Sequence, residues 1–293
     1  MKILLDKLLP VIFTAFLVSF VAVPFYGQYT VLSDARPDPK NKIDSAGYPL
    51  LSDSIMGAEL IKADGTKLRL NDLKGKIVLL NLWATWSGPA REANPALMEL
   101  QKKYGGDRLV VIGLNVGDGN GNPESPRDIE KFRNRFRPNY QLVRPANSVI
   151  IDSITKLTGL KGNPQSLLFG IDGSLRGIFS GGGAAIMNQL SDLTRNIVRE
   201  SERQSVLTGT ITDSFGSLVP HVKVTAKAKD GSKFECYANG DGKYSFAIPP
   251  GTYSISFSNS PFDPTELPKY QMSEHSIMTL DISLTCENCQ VVN

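Results

Sequence analysis

Residues 81–95 read NLWATWSGPAREANP and decide the fold of the first half of the chain. They follow an apolar, β-rich run over residues 76–80 and lead into an amphipathic helical pattern that extends to Tyr104. A buried strand that ends in this way and turns into a helix places residue 87 at the helix N-terminus. There the helix dipole and the unpaired backbone N–H groups would lower the pKa of a thiol. The stretch therefore predicts a strand, a turn that carries the candidate site, and a helix.

The same stretch resembles the WATWCGPC signature of the TlpA/ResA-like redoxins, a thioredoxin-fold family of the AhpC/TSA type whose members are membrane-anchored. The matching positions are Trp83, Ala84, Thr85, Trp86, Gly88, Pro89, Arg91, Glu92 and Pro95. Ser87 and Ala90 stand where the family has its two cysteines. The resemblance implies a thioredoxin-like α/β fold, with a mixed central sheet flanked by helices, over residues 50–203. It also implies thiol–disulfide exchange as the activity of the family.

The residues at the two cysteine positions argue against that activity at this site. Exchange needs a thiolate that attacks a disulfide and a second thiol that releases the mixed disulfide. Neither the hydroxyl of Ser87 nor the methyl group of Ala90 can do this. A serine nucleophile would need a nearby base, and both histidines of the chain, His221 and His275, fall in its second half. Ser87 is therefore interpreted as a helix N-cap, and whether the protein is an enzyme stays open.

A binding role is the leading prediction for the site. The resemblance places Asn163 and Pro164 in the loop that faces the turn, where the family has a cis-proline and exposes backbone to an extended peptide. We therefore take five residues as candidates for contact with a protein or peptide partner. They are Trp86, Gly88, Pro89, Asn163 and Pro164. No cofactor is expected.

Residues 1–33 are predicted to anchor the chain in a membrane. Lys2 and Lys7 precede an apolar run over residues 8–23, and no charge follows until a polar tether over residues 34–49. A helix needs about 20 mostly apolar residues to cross a bilayer, and the basic start places the N-terminus in the cytoplasm. We expect a single-pass protein of the bacterial cytoplasmic membrane, with its bulk periplasmic or otherwise extracytoplasmic. A cleaved signal peptide is the alternative.

Residues 204–293 have a sequence pattern different from that of the first half, because short apolar strands alternate there with Asp-Gly and Pro-Gly turns. This spacing is typical of an all-β sandwich. The runs GTITDSFGSLVPHVKVTA and GDGKYSFAIPPGTYSISF resemble the carboxypeptidase regulatory-like domain, an immunoglobulin-like sandwich found in extracellular proteins. That resemblance implies a structural or adhesive role and no catalytic residue.

The three cysteines all lie in this second half, at Cys236, Cys286 and Cys289. Three interpretations stay open: a disulfide from Cys236 to one of the other two, a redox-active Cys286/Cys289 pair in a tail, or thiols without a role. Too few ligands are present for a structural zinc site, so no metal is expected. With 32 Lys and Arg against 29 Asp and Glu, the overall charge gives no argument for nucleic acid.

The predicted helix around residues 127–136 is rich in arginine, and Phe132 and Phe136 share one of its faces. We interpret its charges as a solvated outer face, with anionic lipid or an acidic partner as the alternative. For the whole chain the leading hypothesis is a redox-inactive, TlpA-like binding or scaffold protein. The alternatives are thiol–disulfide exchange through Cys286 and Cys289 or with a partner's thiols, and a purely structural envelope protein.

Overall fold

A computed structural model describes residues 29–31, 51–120, 122–158 and 165–286, and residues 29–31 are described as backbone only. Within these residues the first half contains eight strands, five helices and a short 3₁₀ helix. In chain order they are β1 Tyr29–Val31, α1 Asp53–Met56, β2 Leu60–Lys62, β3 Lys67–Leu68, the 3₁₀ helix Leu70–Leu73, β4 Ile77–Trp83, α2 Gly88–Tyr104, β5 Leu109–Asn115, α3 Pro126–Phe136, β6 Gln141–Pro145, α4 Val149–Thr158, β7 Gln165–Phe169, β8 Leu175–Ser180 and α5 Ala184–Ser201.

The strands form one mixed sheet in the order β1-β8-β7-β4-β5-β6-β2-β3. Strands β4, β5 and β6 are parallel, whereas β7 runs antiparallel to β4 and to β8. One face of the sheet packs against α2, α3 and α5, and the other packs against α1 and α4. Every residue of β4 is buried because both faces are covered. The predicted thioredoxin-like fold is confirmed.

The strand β6 and the short helix α1 were not predicted from the sequence. Along Gln141–Pro145 only Val143 is buried, so this strand lacks the continuous apolar run that marks β4 and β5. Its neighbours in the sheet, which lie far away in the chain, define it as a strand.

Strand β1 corrects the predicted start of the domain. Tyr29–Val31 falls inside the segment predicted as an anchor, yet it pairs antiparallel with β8 at the edge of the sheet. The predicted tether over residues 34–49 therefore follows the first strand of the domain and does not separate an anchor from it. The rest of the anchor and the tether lie outside the described residues. No helix in the described part of the chain is both long and apolar enough to cross a membrane.

The second half forms the predicted β-sandwich. Its strands are β9 Ser205–Asp213, β10 Lys223–Ala228, β11 Lys233–Tyr237, β12 Lys243–Ile248, β13 Gly251–Ser258, β14 Thr265–Met272, β15 Ile277–Thr279 and β16 Ile282–Leu284. One sheet has the order β11-β10-β13-β14, and in the other β9 pairs with β12, β15 and β16. The predictions had no strand at β14, which is polar and largely exposed.

The two halves meet at the amino end of β4. The side chain of Lys74 donates to the hydroxyl of Thr208 across 3.0 Å, and the backbone N–H of Asp53 donates to the carboxylate of Asp241 across 3.0 Å. Val206 of the sandwich packs into the α2/α5 core of the first half. The carboxyl end of β4, where the predicted site begins, lies at the other end of this seven-residue strand, about 20 Å away.

Candidate functional site

Ser87 begins helix α2 as its N-cap, as predicted. Its backbone is extended, and its hydroxyl accepts a hydrogen bond from the backbone N–H of Ala90 at 3.3 Å. The side chains of both residues are buried, with exposed fractions of 3% and 4%. Positions 87 and 90 thus hold an inward hydroxyl that caps a helix and a methyl group that packs against Trp83 and Phe132.

The two tryptophans beside this turn have different environments. Trp83 is buried and stacks against Phe132, with 4.4 Å between the ring centroids. Trp86 is 53% exposed, and its indole Nε1 donates to the backbone carbonyl of Gly117 across 3.2 Å. About half of the Trp86 side chain is therefore accessible to a partner, while the hydrogen bond limits the orientations that the indole can take.

Glu124 fixes the turn from the loop that follows β5. Its carboxylate accepts from the backbone N–H and the hydroxyl of Thr85, each at 2.9 Å, and from the side-chain amide of Asn115 at 2.8 Å. Asn115 in turn accepts from the N–H of Gly117, whose carbonyl holds Trp86. Hydrogen bonds link these five residues in a chain from Trp86 to Thr85, and the peptide bond between Thr85 and Trp86 closes it; the set is here called the Trp86 network.

The sequence analysis did not find Glu124 or Asn115 as site residues. Glu124 follows a stretch of Gly, Asn and Pro, and nothing in its local sequence marks it as a partner of Thr85, which lies 39 residues earlier. The end of β5 is placed beside the end of β4 by parallel pairing of Trp83 with Asn115. That rule could have identified Asn115, whereas the contact of Glu124 needs the loop conformation.

The other predicted site residues on α2 lie at its first turn. Gly88 is half-buried and Pro89 is exposed. The guanidinium of Arg91 donates to the carbonyl of Thr85 across 3.1 Å. Gly182 packs on the same turn so closely that a Cβ atom there would lie 1.9 Å from the carbonyl oxygen of Pro89. The loop before α5 and the start of α2 thus form one tightly packed rim around Ser87.

Asn163 and Pro164, the predicted peptide-binding loop, lie outside the described residues. The described chain resumes at Gln165 in β7. This residue pairs with Leu82 near the carboxyl end of β4, the strand that leads into the turn. The next residue, Ser166, accepts a hydrogen bond of 2.9 Å from the buried side chain of Asn81. The structure therefore brings the start of β7 beside the site, and the role of the loop itself stays a prediction.

A second buried polar contact supports α2 from the side. The hydroxyl of Tyr140, just before β6, donates to the side-chain oxygen of Asn94 across 2.7 Å. Burial raises the pKa of Tyr140 well above its ordinary value. Because the hydroxyl stays protonated, it remains a donor, and this contact links α2 to the unit formed by α3 and β6.

The cysteines do not form the predicted disulfide through Cys236. This residue lies in β11 with its thiol fully buried in the sandwich core. Cys286 lies at the end of the described residues, with its sulfur 3.3 Å from the carbonyl oxygen of Pro261. Cys289 lies outside them, so a Cys286/Cys289 pair stays a prediction. Within the described ranges no group of three His, Cys, Asp or Glu residues could hold a metal ion.

Sequence comparisons assign both halves. Residues 44–175 match the AhpC/TSA family, and residues 206–285 match the carboxypeptidase regulatory-like domain. The first half is an AhpC/TSA-family thioredoxin-like domain. Among curated proteins it is similar to the thioredoxin-like protein YneN of Bacillus subtilis strain 168, with 41% identity over 88 residues, 30% of this chain and 45% of that protein.

The AhpC/TSA domain is also similar to thiol–disulfide oxidoreductases named ResA. The ResA of Geobacillus thermodenitrificans is 29% identical over 118 residues, which are 40% of this chain and 62% of ResA. For Bacillus anthracis ResA the identity is 34% over 115 residues, 38% of this chain and 59% of ResA. The matches thus span less than two thirds of each relative.

Solved structures with a similar domain include two bacterial proteins. A thiol:disulfide interchange protein of the thioredoxin family from Chlorobium tepidum TLS has 19% identity and a TM-score of 0.42, covering 56% of this chain and 99% of that one. The exposed lipoprotein thioredoxin Etrx1 from Streptococcus pneumoniae strain TIGR4 has 22% identity and a TM-score of 0.38, covering 47% of this chain and 97% of that one.

Proposed function

We propose that this chain is a membrane-anchored, extracytoplasmic member of its family whose site binds a protein or peptide segment and does not exchange thiols. The observation that carries the proposal is the pairing of an open Trp86 ring with a turn that lacks both cysteines. The indole of Trp86 is held by the Trp86 network, so a partner would meet a surface that is already ordered. Preorganisation of this kind reduces the entropy lost on binding.

The chemistry available at the turn supports binding over catalysis. The hydroxyl of Ser87 is buried and accepts from the N–H of Ala90, a role that uses its oxygen to cap the helix. No histidine occurs in residues 51–203, so the base that a serine nucleophile needs would have to come from elsewhere. Attack on a disulfide would need a thiolate, which positions 87 and 90 cannot supply.

The anchored location rests on the sequence of residues 1–28 and on the kind of relatives that the domain has. The carboxypeptidase regulatory-like sandwich would then be an extracytoplasmic spacer. It meets the domain at the pole opposite Trp86 and so leaves the site uncovered. A protein that serves only as a structural element of the envelope would need no ordered, exposed Trp86, and this observation favours the binding role.

Thiol–disulfide exchange through Cys286 and Cys289 is the competing function. Disulfide-reductase turnover of the full chain, measured beside Ser87→Cys/Ala90→Cys and Cys286→Ser, separates the two. We expect the wild type to be inert and the double variant to turn over, because the helix N-terminus would then hold a thiol. Ser87→Cys alone should stall as a mixed disulfide. Turnover by the wild type that is abolished in Cys286→Ser would overturn the proposal.

A further inference from the structure

One supersecondary unit of this protein carries a strong positive charge. Residues 126–145, here called the basic unit, comprise α3, the turn after it and β6, and contain six Arg or Lys against two Asp or Glu. Their net charge of +4 exceeds the +3 of the whole chain. All the remaining residues taken together are therefore slightly acidic.

The cations of the basic unit point to solvent. Helix α3 buries Phe132, with Ile129 and Phe136 packed beside it against Trp83, so its apolar stripe faces the sheet. The six cations are all exposed; they are Arg127, Lys131, Arg133, Arg135, Arg137 and Arg144. Lys131 and Arg133 form ion pairs within the helix. For the other four, no carboxylate of the described residues lies within ion-pairing distance.

The start of α3 lies at the same pole of the domain as the entry of the N-terminal chain. Tyr29 pairs with Phe179 at the end of β8, and β8 runs parallel to β4 because both are antiparallel to β7. The chain that precedes Tyr29 therefore joins the sheet at the pole that carries the site. Glu124, two residues before α3, is bonded to Thr85 at that pole.

This entry point brings the domain close to a bilayer if residues 8–23 cross it. Only residues 24–28 separate that apolar run from Tyr29, and five residues span at most about 18 Å. The predicted tether cannot lengthen this link, since it follows β1. A link this short allows a flank of the domain to reach the headgroups, and a flank rich in exposed cations gains from anionic lipids.

We propose that the exposed flank of the basic unit docks on the anionic phospholipid surface of the membrane that the N-terminal segment enters. The proposal rests on the anchored location proposed above. A flat anionic surface fits better than a single acidic peptide, because the cations spread over both sides of the helix and onto β6. The domain would then lie on its α3 flank, with the opening beside Trp86 held at the membrane surface, where a membrane-proximal segment would be its partner.

The test uses the full chain in vesicles and the two tryptophans as energy donors to a dansyl-labelled lipid. Trp83 lies directly beneath α3, so transfer reports how closely this flank approaches the bilayer. The vesicles contain phosphatidylcholine alone or with phosphatidylglycerol. We expect stronger transfer with phosphatidylglycerol, a loss of that increment in high salt, and its absence in the triple variant Arg127→Gln/Arg135→Gln/Arg137→Asn.

The matched control is Lys227→Gln/Lys229→Gln/Lys233→Gln, which removes three exposed charges from the sandwich hairpin. It should keep the full increment. Equal transfer in both lipids, or the same loss in both triple variants, would overturn the proposal. The proposal would also fail if transfer did not rise with phosphatidylglycerol while the basic unit bound poly-glutamate in a salt-sensitive way. That outcome would assign the flank to an acidic protein.

Flotation of the same samples separates this inference from the anchoring proposal. A chain that does not float with neutral vesicles lacks an anchor, and the proposed location fails. The basic unit is then tested by flotation with anionic vesicles. Salt-sensitive binding that falls about a hundredfold in the α3 triple variant, with the sandwich control unchanged, would support the surface. Binding that is insensitive to both triple variants would reject it.

Discussion

Lys74 and Thr208 are joined across the boundary between the two domains by a hydrogen bond of 3.0 Å. The hydroxyl of Thr208 donates a hydrogen bond to the backbone carbonyl of Tyr244, so the contact continues into the sandwich core. Burial lowers the pKa of Lys74, and the nearby charge of Lys243 lowers it further, while Asp53 acts in the opposite direction. Asp53 forms an ion pair with Lys243 and thereby offsets two neighbouring cations.

We expect the two domains to unfold together because of this junction. Asp53→Ala leaves Lys74 and Lys243 facing each other, and should cost about 1 kcal/mol and separate the transitions. Tryptophan fluorescence reports only on the first domain, whereas reaction of the buried Cys236 thiol reports on the second, in a Cys286→Ser/Cys289→Ser background. Asp128→Ala, which breaks an ion pair within α3, is the control. Transitions that already differ in the parent protein would contradict the expectation.

The residues around this junction also show what the sequence could and could not predict. Strands β4 and β5 were identifiable because each is a continuous apolar run, and the N-cap role of Ser87 followed from its place before a helix. The junction was not identifiable. Lys74 lies in a polar Leu-Lys-Gly-Lys turn, and its burial depends on a domain whose first strand begins at Ser205. Tyr29–Val31 likewise became a strand only through pairing with β8, which lies far away in the chain.

Glu124→Gln should weaken the Trp86 network. An amide would keep the size of the side chain but present an N–H group to the donors of Thr85 or Asn115, which leaves one of them unpaired. We expect Trp86 to become more accessible to iodide quenching and partner capture to weaken by about tenfold, equivalent to ~1.4 kcal/mol. Glu92→Gln, an exposed neighbour on α2, should change neither. Equal effects of the two variants would assign the change to charge and not to the hydrogen bonds.

Gly182→Ala should disturb the rim of the site. The added Cβ would lie 1.9 Å from the carbonyl oxygen of Pro89, so the loop before α5 or the first turn of α2 must move. Overpacking of this kind costs about 1–3 kcal/mol, which urea unfolding measures. Gly119→Ala, where nothing lies within 4 Å of the new atom, is the matched control. A variant as stable as this control would show that the rim is not tightly packed.

Tyr140 should make the domain less stable at alkaline pH. Its pKa is raised in the folded protein by burial, so above about pH 10 the unfolded chain loses a proton that the folded chain keeps. The resulting stabilisation is complete below pH 10 and is lost as the pH rises further, by up to about 1.4 kcal/mol per pH unit. Lys74 acts with the opposite sign, because its lowered pKa makes stability rise with pH as the pH approaches its ordinary value of 10.5.

Tyr140→Phe isolates the contribution of this hydroxyl. The variant should lose about 1 kcal/mol at neutral pH, because the buried oxygen of Asn94 loses its donor. Above pH 10 its free energy of unfolding should fall less steeply than that of the wild type, so the two curves converge. Urea unfolding at pH 7, 9 and about 10.5 measures both effects. Parallel curves over this range would show that Tyr140 titrates in the folded protein as it does in the unfolded chain.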